Sequence, residues 1–299
     1  MRCYATLMGE HPKRVVQDSM LGMQMPETDR WSGRVSVVLG LNPGPFTGPG
    51  TNTYLIGTGA ARVLLDTGQG VDGYLPLLER GLHETAGADS LQEIVLTHAH
   101  PDHIGGVHDI LGRFGALRVS KRLLPEQDRG LTIVALDDGD EVSGSGVTLR
   151  AIWTPGHARD HLCFYMPEEK ALFSGDVVLG AGTTVIPRDG DLGDYLRSLE
   201  RLLTLDLEVI YPAHGPAIRN PHGKIRDYIA HRALRDRQIR DMLTAGPSTV
   251  EKIVAAIYCD VPEFLHGAAA VSVEAHLRKM LSDEVVDHEN GRWRLLSRA

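Results

Sequence analysis

The sequence predicts an α+β fold in which helices cover β-sheets. From Val35 onward, short β-branched runs alternate with Gly/Pro turns, a pattern typical of strands. Two segments interrupt these runs with leucines at helical spacing, VDGYLPLLERGLHETAG and LGDYLRSLERLLTL. The resulting order of strands, helix, strands and helix indicates covered sheets rather than an all-β barrel.

The predicted strands fall into two series along the chain. The first series comprises RVSVVLG, NTYLIGT, ARVLLDTG and, after the first helix, LQEIVLTH. The second comprises LTIVAL, VTLRAIWTPG, HLCFYMPE and KALFSGD, followed beyond the second helix by LEVIYPAHG. Each run is short and apolar and ends in turn residues, which favours buried strands.

The composition changes near residue 221, where a helical C-terminal region begins. KIRDYIAHRALRDRQIRDMLTAG predicts a long helix that ends at Gly246-Pro247. STVEKIVAAIY begins with a Ser/Thr cap, and Glu251 follows Ser248 at capping-box spacing. VSVEAHLRKMLSDEVVDHENGRWRLL predicts helix, strand, ENG turn and strand. We therefore expect an N-terminal extension over residues 1–33, a main domain over 34–222, and a small winged-helix-like domain over 223–299.

Composition and charge restrict the function. The net charge of −8 gives no general attraction to polyanions, so any RNA binding must depend on a local patch or on metal ions. No apolar run is long enough to predict a membrane span, and no secretory h-region begins the chain. Cys3, Cys163 and Cys259 are far apart and odd in number, which favours a reducing compartment. We expect the cytoplasm or the mitochondrial matrix, not secretion.

The loop THAHPDHIGG carries four candidate metal ligands directly after an apolar strand. Side chains two apart at a strand end point the same way, so His98 and His100 can share one ion. Asp102 and His103 follow where the chain turns and can bind a second ion. A solvated loop or a helix cap is the usual explanation of an isolated H-x-H. Four ligands at a strand end instead favour a zinc-like site.

Three further polar residues occupy similar positions. His157 follows a strand and a Pro-Gly turn in WTPGHARDH, Asp176 ends LFSGDVV, and His214 ends IYPAHGP. Each alone is typical of a turn, but binding residues gather where hydrophobic strands end. Together with the THAHPDH loop they supply enough ligands for two ions. We expect zinc, with manganese as the alternative.

These motifs resemble the metallo-β-lactamase superfamily. The matching segments are LLDTG with Asp66, THAHPDH, TPGH, SGD and YPAHG, in the expected order over about residues 63–215. The resemblance implies a four-layer αββα sandwich with two metal ions along one edge of its sheets. It also implies roles by position: His98, His100 and His157 bind the first ion, Asp102, His103 and His214 bind the second, Asp176 bridges both, and Asp66 holds the ligand loop by hydrogen bonds without being a ligand.

The bridging aspartate distinguishes branches of this superfamily. Hydrolases of phosphodiesters and thioesters place an aspartate between their ions, whereas true β-lactamases do not, so the resemblance argues against antibiotic hydrolysis. LGLNPGPFTGPGTNTYLIGTG, GDVVLGAGTTVI and YIAHRALRDRQI resemble the β-lactamase-like protein 2 group, which includes a mitochondrial endoribonuclease that cuts single-stranded RNA. This resemblance runs from about residue 34 to the C-terminus. The sequence departs from that group in NPGPFTGPGTN and at Ala99 and Pro101, which affects the substrate rather than the metals.

The expected function is therefore a dinuclear metal-dependent hydrolase, an endoribonuclease-like phosphodiesterase acting on single-stranded RNA. The alternative is a metallo-β-lactamase-type thioesterase, acting on a carrier-protein or glyoxalase-II-like acyl thioester. KIRDYIAHRALRDRQIR offers a cationic stripe for phosphates, although a solvated helix face is the simpler explanation. A nucleic-acid-binding regulator with a vestigial metal site is a third possibility, but the complete ligand set argues against it. We expect no membrane partner, and a homodimer is an open option.

The expected mechanism uses hydroxide produced from a water shared by two ions. Asp102 either accepts and orients the water proton as well as binding metal, or is a ligand only. His161, four residues after His157, is a supporting residue, a leaving-group acid or simply structural. The resemblance implies that Asn52 and His231 contact substrate. The glycines between residues 40 and 50 form either a flap over the metals or tight turns.

Overall fold

The computed structural model describes residue 20, residues 22–128 and residues 130–296, and its first sheet is mixed. Strands β1 to β4 pair antiparallel in sequence order, and β5, β6 and β7 then add in parallel. Their bounds are β1 Thr28–Arg30, β2 Val35–Leu39, β3 Asn52–Ile56, β4 Ala61–Leu65, β5 Ser90–Val95, β6 Arg118–Lys121 and β7 Val134–Ala135.

The second sheet repeats this plan, with an antiparallel meander followed by a parallel strand. Its order is β12-β11-β10-β9-β8, and only β11 and β12 are parallel. The bounds are β8 Glu141–Gly144, β9 Val147–Trp153, β10 Leu162–Met166, β11 Ala171–Gly175 and β12 Val209–Pro212. Parallel strands need a crossover connection, and helices lie in those between β4 and β5, between β5 and β6 and between β11 and β12. Functional loops consequently collect where β4, β5, β11 and β12 end.

Apolar side chains divide the main domain into four layers. One buried cluster lies between the two sheets and includes Tyr54, Phe164 and Phe173. The other face of each sheet packs on helices, which bury their leucine stripes there because apolar area leaves water. The helices are α1 Tyr74–Arg80, α2 Pro101–Ile104 and α3 Val107–Phe114 on the first sheet's side, and α4 Leu192–Leu202 on the second sheet. The expected αββα sandwich is confirmed.

The C-terminal region forms a separate apolar cluster around α5 Pro221–Thr244, α6 Val250–Ile257, α7 His266–Ser282 and the hairpin of β13 Val286–Glu289 and β14 Arg292–Leu295. Thr249, rather than Ser248, is the N-cap of α6, and its side chain accepts a hydrogen bond from the Lys252 amide. Ser248 instead exchanges backbone hydrogen bonds with Trp293 of the hairpin. Within the described chain, no helix is long and apolar enough to cross a membrane.

Several elements differ from the sequence-based expectations. The predicted strand LTIVAL shrinks to Val134–Ala135, since both residues are exposed at a sheet edge. Residues 28–30 of the predicted extension add edge strand β1, and Trp31 packs 5.6 Å from the Tyr54 ring. Residues 1–19 of that extension lie outside the described residues. Helix α5 crosses the predicted domain boundary at residue 222, and the domain bounds stay predictions.

Candidate metal centre

The THAHPDH loop begins where β5 leaves the first sheet. The sequence pattern placed His98 and His100 at the end of this strand. The strand ends at Val95, so both histidines lie in the loop beyond it. Asp102 and His103 stand on the short helix α2, directly after Pro101. The loop rather than strand alternation therefore sets the direction of the first two histidines.

The two glycines that follow the ligand loop, Gly105 and Gly106, occupy positions without space for a larger side chain. A Cβ on Gly105 would collide with the carbonyl oxygen of Gln69, and one on Gly106 with that of Thr67. The turn after the ligand loop packs backbone against backbone, so it excludes larger residues.

The first candidate group contains His98, His100, His157 and Asp176. One potential ligand atom from each lies within 4.8 Å of the others. His157, from the loop between β9 and β10, places Nε2 at 3.0 Å from His100 Nδ1 and 3.4 Å from Asp176 Oδ2. Three segments far apart in sequence thus meet at one sheet edge.

The second candidate group contains Asp102, His103 and His214, again within 4.8 Å. Asp102 Oδ2 lies 3.3 Å from His103 Nε2 and 3.4 Å from His214 Nε2. Asp176 Oδ1 lies 3.1 Å from His214 Nε2 and 3.5 Å from His103 Nε2. Since Asp176 Oδ2 faces His157, the two oxygens of Asp176 face different groups. All seven candidate ligands converge in the implied arrangement, and their assignment as ligands remains a proposal.

Contacts at Nδ1 orient three of the five candidate ligand imidazoles. His103 Nδ1 donates to Asp66 Oδ2 at 2.8 Å, and His157 Nδ1 donates to the Val185 carbonyl at 2.9 Å. His214 Nδ1 points to the Gly50 carbonyl at 3.5 Å. These contacts leave the Nε2 atoms of His103, His157 and His214 facing the centre, which is the orientation of metal-binding histidines.

Unpartnered buried atoms test whether these residues suit a metal. His98 Nε2, His103 Nε2 and Asp176 Oδ1 are buried without a hydrogen-bond partner in the structure. Such atoms cost free energy in a protein interior unless something binds them. Cations between the two groups would satisfy all three, so the residues fit a dinuclear site. Imidazole and carboxylate ligands suit zinc, and iron or manganese as well, so the ligand set does not choose the metal.

The two groups differ in their electrostatics. Burial, assisted by the neighbouring imidazoles, lowers the pKa of His98 far below its usual value and that of His100 to about 4. Burial acts the same way on His214, but Asp176 and Asp102 more than offset it and raise its pKa to about 9. Burial would also raise the pKa of Asp176, yet His214 and His103 hold that pKa well below its usual value. Carboxylate charge is therefore retained between the groups.

Asp66 supports the ligand loop without belonging to either group. Its Oδ1 accepts the Thr97 backbone N–H at 2.8 Å, and its Oδ2 accepts the Thr97 hydroxyl at 2.9 Å and the His103 Nδ1–H. Thr97 Oγ1 lies in turn 3.0 Å from His98 Nδ1. One carboxylate thus orients a histidine from each group, which supports the role implied by the resemblance.

The remaining predicted residues have different surroundings. His161 is buried, with Nδ1 bonded to Thr154 Oγ1 at 2.9 Å and Nε2 accepting the Asp176 backbone N–H at 3.1 Å. Both ring nitrogens are used, so His161 supports Asp176 and is not placed as a leaving-group acid. Asn52 is fully buried and donates to the carbonyls of Pro212 and Gly215, which corrects its expected substrate contact. It holds the His214 loop instead.

His231 lies on α5, in the predicted cationic stripe. Burial lowers its pKa to about 3, together with the charges of Arg232, Arg235 and His276. Arg232 is buried, and Arg235 lies 4.3 Å from the Tyr258 ring centroid. The stripe is therefore not a continuous phosphate-facing surface, and a substrate contact by His231 has no support from its surroundings.

Sequence reasoning missed several supporting residues. Thr51 Oγ1 donates to Asp102 Oδ2 at 3.1 Å, and Asn42 Nδ2 donates to Thr51 Oγ1 at 3.0 Å. Thr97 and Thr51 each precede a residue that the motifs had singled out, so their position was the available signal. The Val185 carbonyl had no sequence signal, because any residue supplies a carbonyl.

Two protein families match this chain. The model of the metallo-beta-lactamase superfamily matches residues 46–214, and that of the beta-lactamase associated winged helix domain matches residues 249–293. The Beta-lactamase-like protein 2 homolog of Caenorhabditis elegans is 39% identical over 277 residues, which cover 89% of this chain and 91% of the relative. Lactamase-like protein aptB of Emericella nidulans is 39% identical over 89% of this chain and 88% of its own length.

Solved structures show the same fold. A metallo-beta-lactamase family protein from Thermus thermophilus matches with a TM-score of 0.70 at 25% identity, over 82% of this chain and 94% of its own. A Beta-lactamase domain protein from Burkholderia ambifaria matches with a TM-score of 0.79 at 21% identity, over 92% and 96%. The chain thus belongs to the metallo-beta-lactamase superfamily and carries a C-terminal beta-lactamase associated winged helix domain.

Proposed function

We propose that this metal-dependent hydrolase is an endoribonuclease-like phosphodiesterase that cuts single-stranded RNA. The observation that carries the hydrolytic centre is the position of Asp176, whose oxygens face one group each, an arrangement that suits phosphodiester and thioester hydrolases alike. A carboxylate between two ions suits a phosphodiester, because paired cations about 3.5–4 Å apart stabilise both the attacking and the leaving oxygen. The choice of RNA over a thioester rests on the 39% identity to a Beta-lactamase-like protein 2 homolog, because the resemblance to that group includes an enzyme that cuts single-stranded RNA.

The side chains supply positioning and proton handling. Bound divalent ions would lower the pKa of a water molecule and polarise a phosphoryl oxygen. Asp102 is one-fifth exposed, whereas His98 and His103 are fully buried, so substrate reaches Asp102 more easily than these two histidines. Thr51 donates to Asp102 Oδ2 and thereby holds that carboxylate in one orientation. Asp102 is thus placed to accept a proton from the attacking group.

Phe46 offers a contact for an unpaired base. Gly44 and Gly48 exchange backbone hydrogen bonds of 3.1 and 2.8 Å, so residues 45–47 form the tip of a tight turn. Phe46 is 61% exposed at this tip, and Thr51, at the base of the same loop, contacts Asp102. Stacking on an aromatic ring is worth about 1–3 kcal/mol per base and requires a single strand. This contact compensates for the lack of a general attraction to RNA at a net charge of −8.

An acyl thioesterase is the second candidate. The net charge and the inward-facing Arg232 both count against a polyanionic substrate, and Phe46 can equally contact an acyl chain. The same centre can polarise a thioester carbonyl. The substrate assay must therefore include both classes.

The test is a panel on protein loaded with zinc or with manganese. The substrates are a labelled single-stranded RNA, the same RNA as a duplex, and an acyl thioester. We expect internal cuts in the single strand, lost in Asp102→Ala and His103→Ala and kept in the control His83→Ala, whose imidazole is 62% exposed. Thioester turnover with intact RNA would overturn the proposal. So would tight RNA binding without cleavage that survives chelation, which would indicate a regulator.

A further inference from the structure

We propose that the C-terminal helices set the geometry of the metal centre through Arg232, a positioning residue on α5. The link runs through residues 177–190, here called the bridging loop, which follows Asp176. This inference rests on the metal centre of the proposed function but not on its substrate.

Two adjacent residues of the bridging loop, Thr184 and Val185, each contact one residue of the metal centre. The Thr184 hydroxyl donates to the carbonyl of Asp176 at 2.6 Å and lies 3.3 Å from that of Val177. The next residue, Val185, accepts the Nδ1–H of His157 at 2.9 Å. A displacement of this short stretch would therefore move the carboxylate between the groups and rotate an imidazole of the first group.

The C-terminal helices hold this stretch from outside. Arg232 Nη2 donates to the Thr184 carbonyl, and Nη1 lies 3.5 Å from Ser272 Oγ on α7. Two further contacts fix the loop on either side. The Tyr228 hydroxyl donates to the Gly182 carbonyl at 2.9 Å, and Arg278 Nη2 donates to the Pro187 carbonyl at 3.1 Å.

Arginine at this position is hard to replace. Arg232 is only 2% exposed, and its guanidinium lies 5.4 Å from the Tyr195 ring centroid while donating to two elements. A planar fork with several fixed donors makes such contacts together, which lysine cannot do. Because the coupling of two sites is reciprocal, ions that order the bridging loop must also stabilise the packing of α5 against it.

The same helix contains a matched control. Arg235 is also partly buried, but it stacks on Tyr258 at 4.3 Å and donates to Gln238 Oε1 at 2.7 Å, within the C-terminal domain. Arg232→Gln and Arg235→Gln therefore remove the same charge from one helix. Only the first removes the contact with the bridging loop.

The experiment measures metal binding without substrate. Zinc affinity is determined by chelator competition for the full chain, Arg232→Gln, Arg232→Lys and Arg235→Gln, and cobalt absorption spectra report the ligand geometry. We expect Arg232→Gln to weaken at least one ion by about 10–100-fold, as supporting residues of metal ligands do, and to change the cobalt spectrum. Arg232→Lys should recover only part of this loss, and Arg235→Gln should stay within about 2-fold of the parent protein.

A second pair of variants tests the link from the loop side if Arg232→Gln does not fold. Thr184→Val removes the hydroxyl bonded to the Asp176 carbonyl, and Thr184→Ser restores it. We expect weakened zinc binding in the first and recovery in the second. Equal affinities and identical cobalt spectra in Arg232→Gln and Arg235→Gln, or in the two Thr184 variants, would overturn the inference. RNA left uncut by a protein that shows these affinity differences would contradict the proposed substrate alone.

Discussion

Two buried polar clusters of this chain solve the same electrostatic problem in different ways. In the metal centre, acidic and imidazole groups converge, and atoms of His98, His103 and Asp176 are buried without hydrogen-bond partners. In the second cluster, the Lys121 ammonium lies 2.7 Å from Asp160 Oδ2 and 2.8 Å from Asp128 Oδ1. Lys121 is completely buried, yet it supplies the cation that its two carboxylates need.

The difference separates a functional cluster from a structural one. A buried charge is tolerated only when it is paired or bound to metal. The Lys121 cluster has its cation as soon as the chain folds, because that cation is part of the chain, although Asp128 Oδ1 and Asp160 Oδ1 are themselves without a hydrogen-bond partner. The metal centre would be complete only with ions bound from solution, because the chain supplies no cation of its own between the two groups. Loss of a member should therefore affect activity in one cluster and stability in the other.

The largest effect is expected from Asp176→Asn. A neutral amide cannot balance two cations and keeps only one acceptor oxygen, so one ion should be lost. We expect a fall in turnover on the order of 10⁴-fold, or about 5 kcal/mol. Zinc content and hydrolysis of a bis-nitrophenyl phosphate reporter measure it, and Asp189→Asn, an exposed aspartate of the bridging loop, is the control. Two tightly bound zinc ions and normal turnover in Asp176→Asn would contradict the role of Asp176 between the ions, and with it the contrast between the metal centre and the Lys121 cluster.

Lys121→Met should instead reduce stability. It leaves the carboxylates of Asp128 and Asp160 buried without their cation, which costs about 3–5 kcal/mol in comparable buried pairs. Urea unfolding measures the change, with zinc stoichiometry at saturating zinc expected to stay the same. Arg159→Met is the control, because both members of its pair with Glu126 are exposed and such a pair contributes no more than about 1 kcal/mol. A loss no greater than that of Arg159→Met would mean that the second cluster is not structural.

Asp66→Asn tests the support beneath the ligands. Asp66 has a φ of 61°, a left-handed conformation that asparagine also adopts, so the backbone is retained. The variant loses the charge that orients His103 and Thr97, and we expect about 10–100-fold weaker zinc binding. Chelator competition measures the affinity, and the exposed Asp72→Asn should match the parent protein. Unchanged zinc affinity would mean that Asp66 does not support metal binding, which would then depend on the seven candidate ligands alone.

The smallest effect concerns acid and a group outside both clusters. His231 Nδ1 is buried without a partner, and burial with neighbouring positive charges lowers its pKa to about 3. Because the unfolded imidazole takes up its proton near pH ~6.5, stability is lost as the pH falls from about 6.5 towards 3. In chelator, His231→Gln should therefore lose roughly 1–2 kcal/mol less than the parent between about pH 7 and 5. Equal losses in urea unfolding would mean that His231 does not contribute to the acid sensitivity.

The strands and helices most visible in the sequence had strong periodic patterns. The leucine stripe of α4 and the apolar runs of β2 to β5 predicted their elements because those residues face a core. Strand β6, with the sequence RVSK, was missed, since its Ser120 and Lys121 look exposed but are buried by ion pairing and hydrogen bonding. Helix α3 was missed as well because it is short and follows the ligand loop closely.

The candidate ligands were visible for a chemical reason. A single histidine or aspartate at the end of an apolar strand is typical of a turn, but seven of them in motifs of a characteristic order indicate metal binding. The substrate contacts implied for Asn52 and His231 lacked such a constraint. The structure buries Asn52 beneath the His214 loop and places His231 among the arginines of α5.

The sequence by itself determined the candidate ligands, the sheets covered by helices and the winged-helix-like region, because ligand chemistry and hydrophobic period are local properties, whereas the four-layer arrangement was implied by the family resemblance. Only the tertiary structure decided which atoms support those residues: the Val185 carbonyl behind His157, Arg232 behind Thr184, and Lys121 beside Asp160. Lys121 and Asp160 are 39 positions apart, and Arg232 and Thr184 are 48 apart. Their contacts exist only because packing of the sheets and helices buries polar groups together, where each must find a partner.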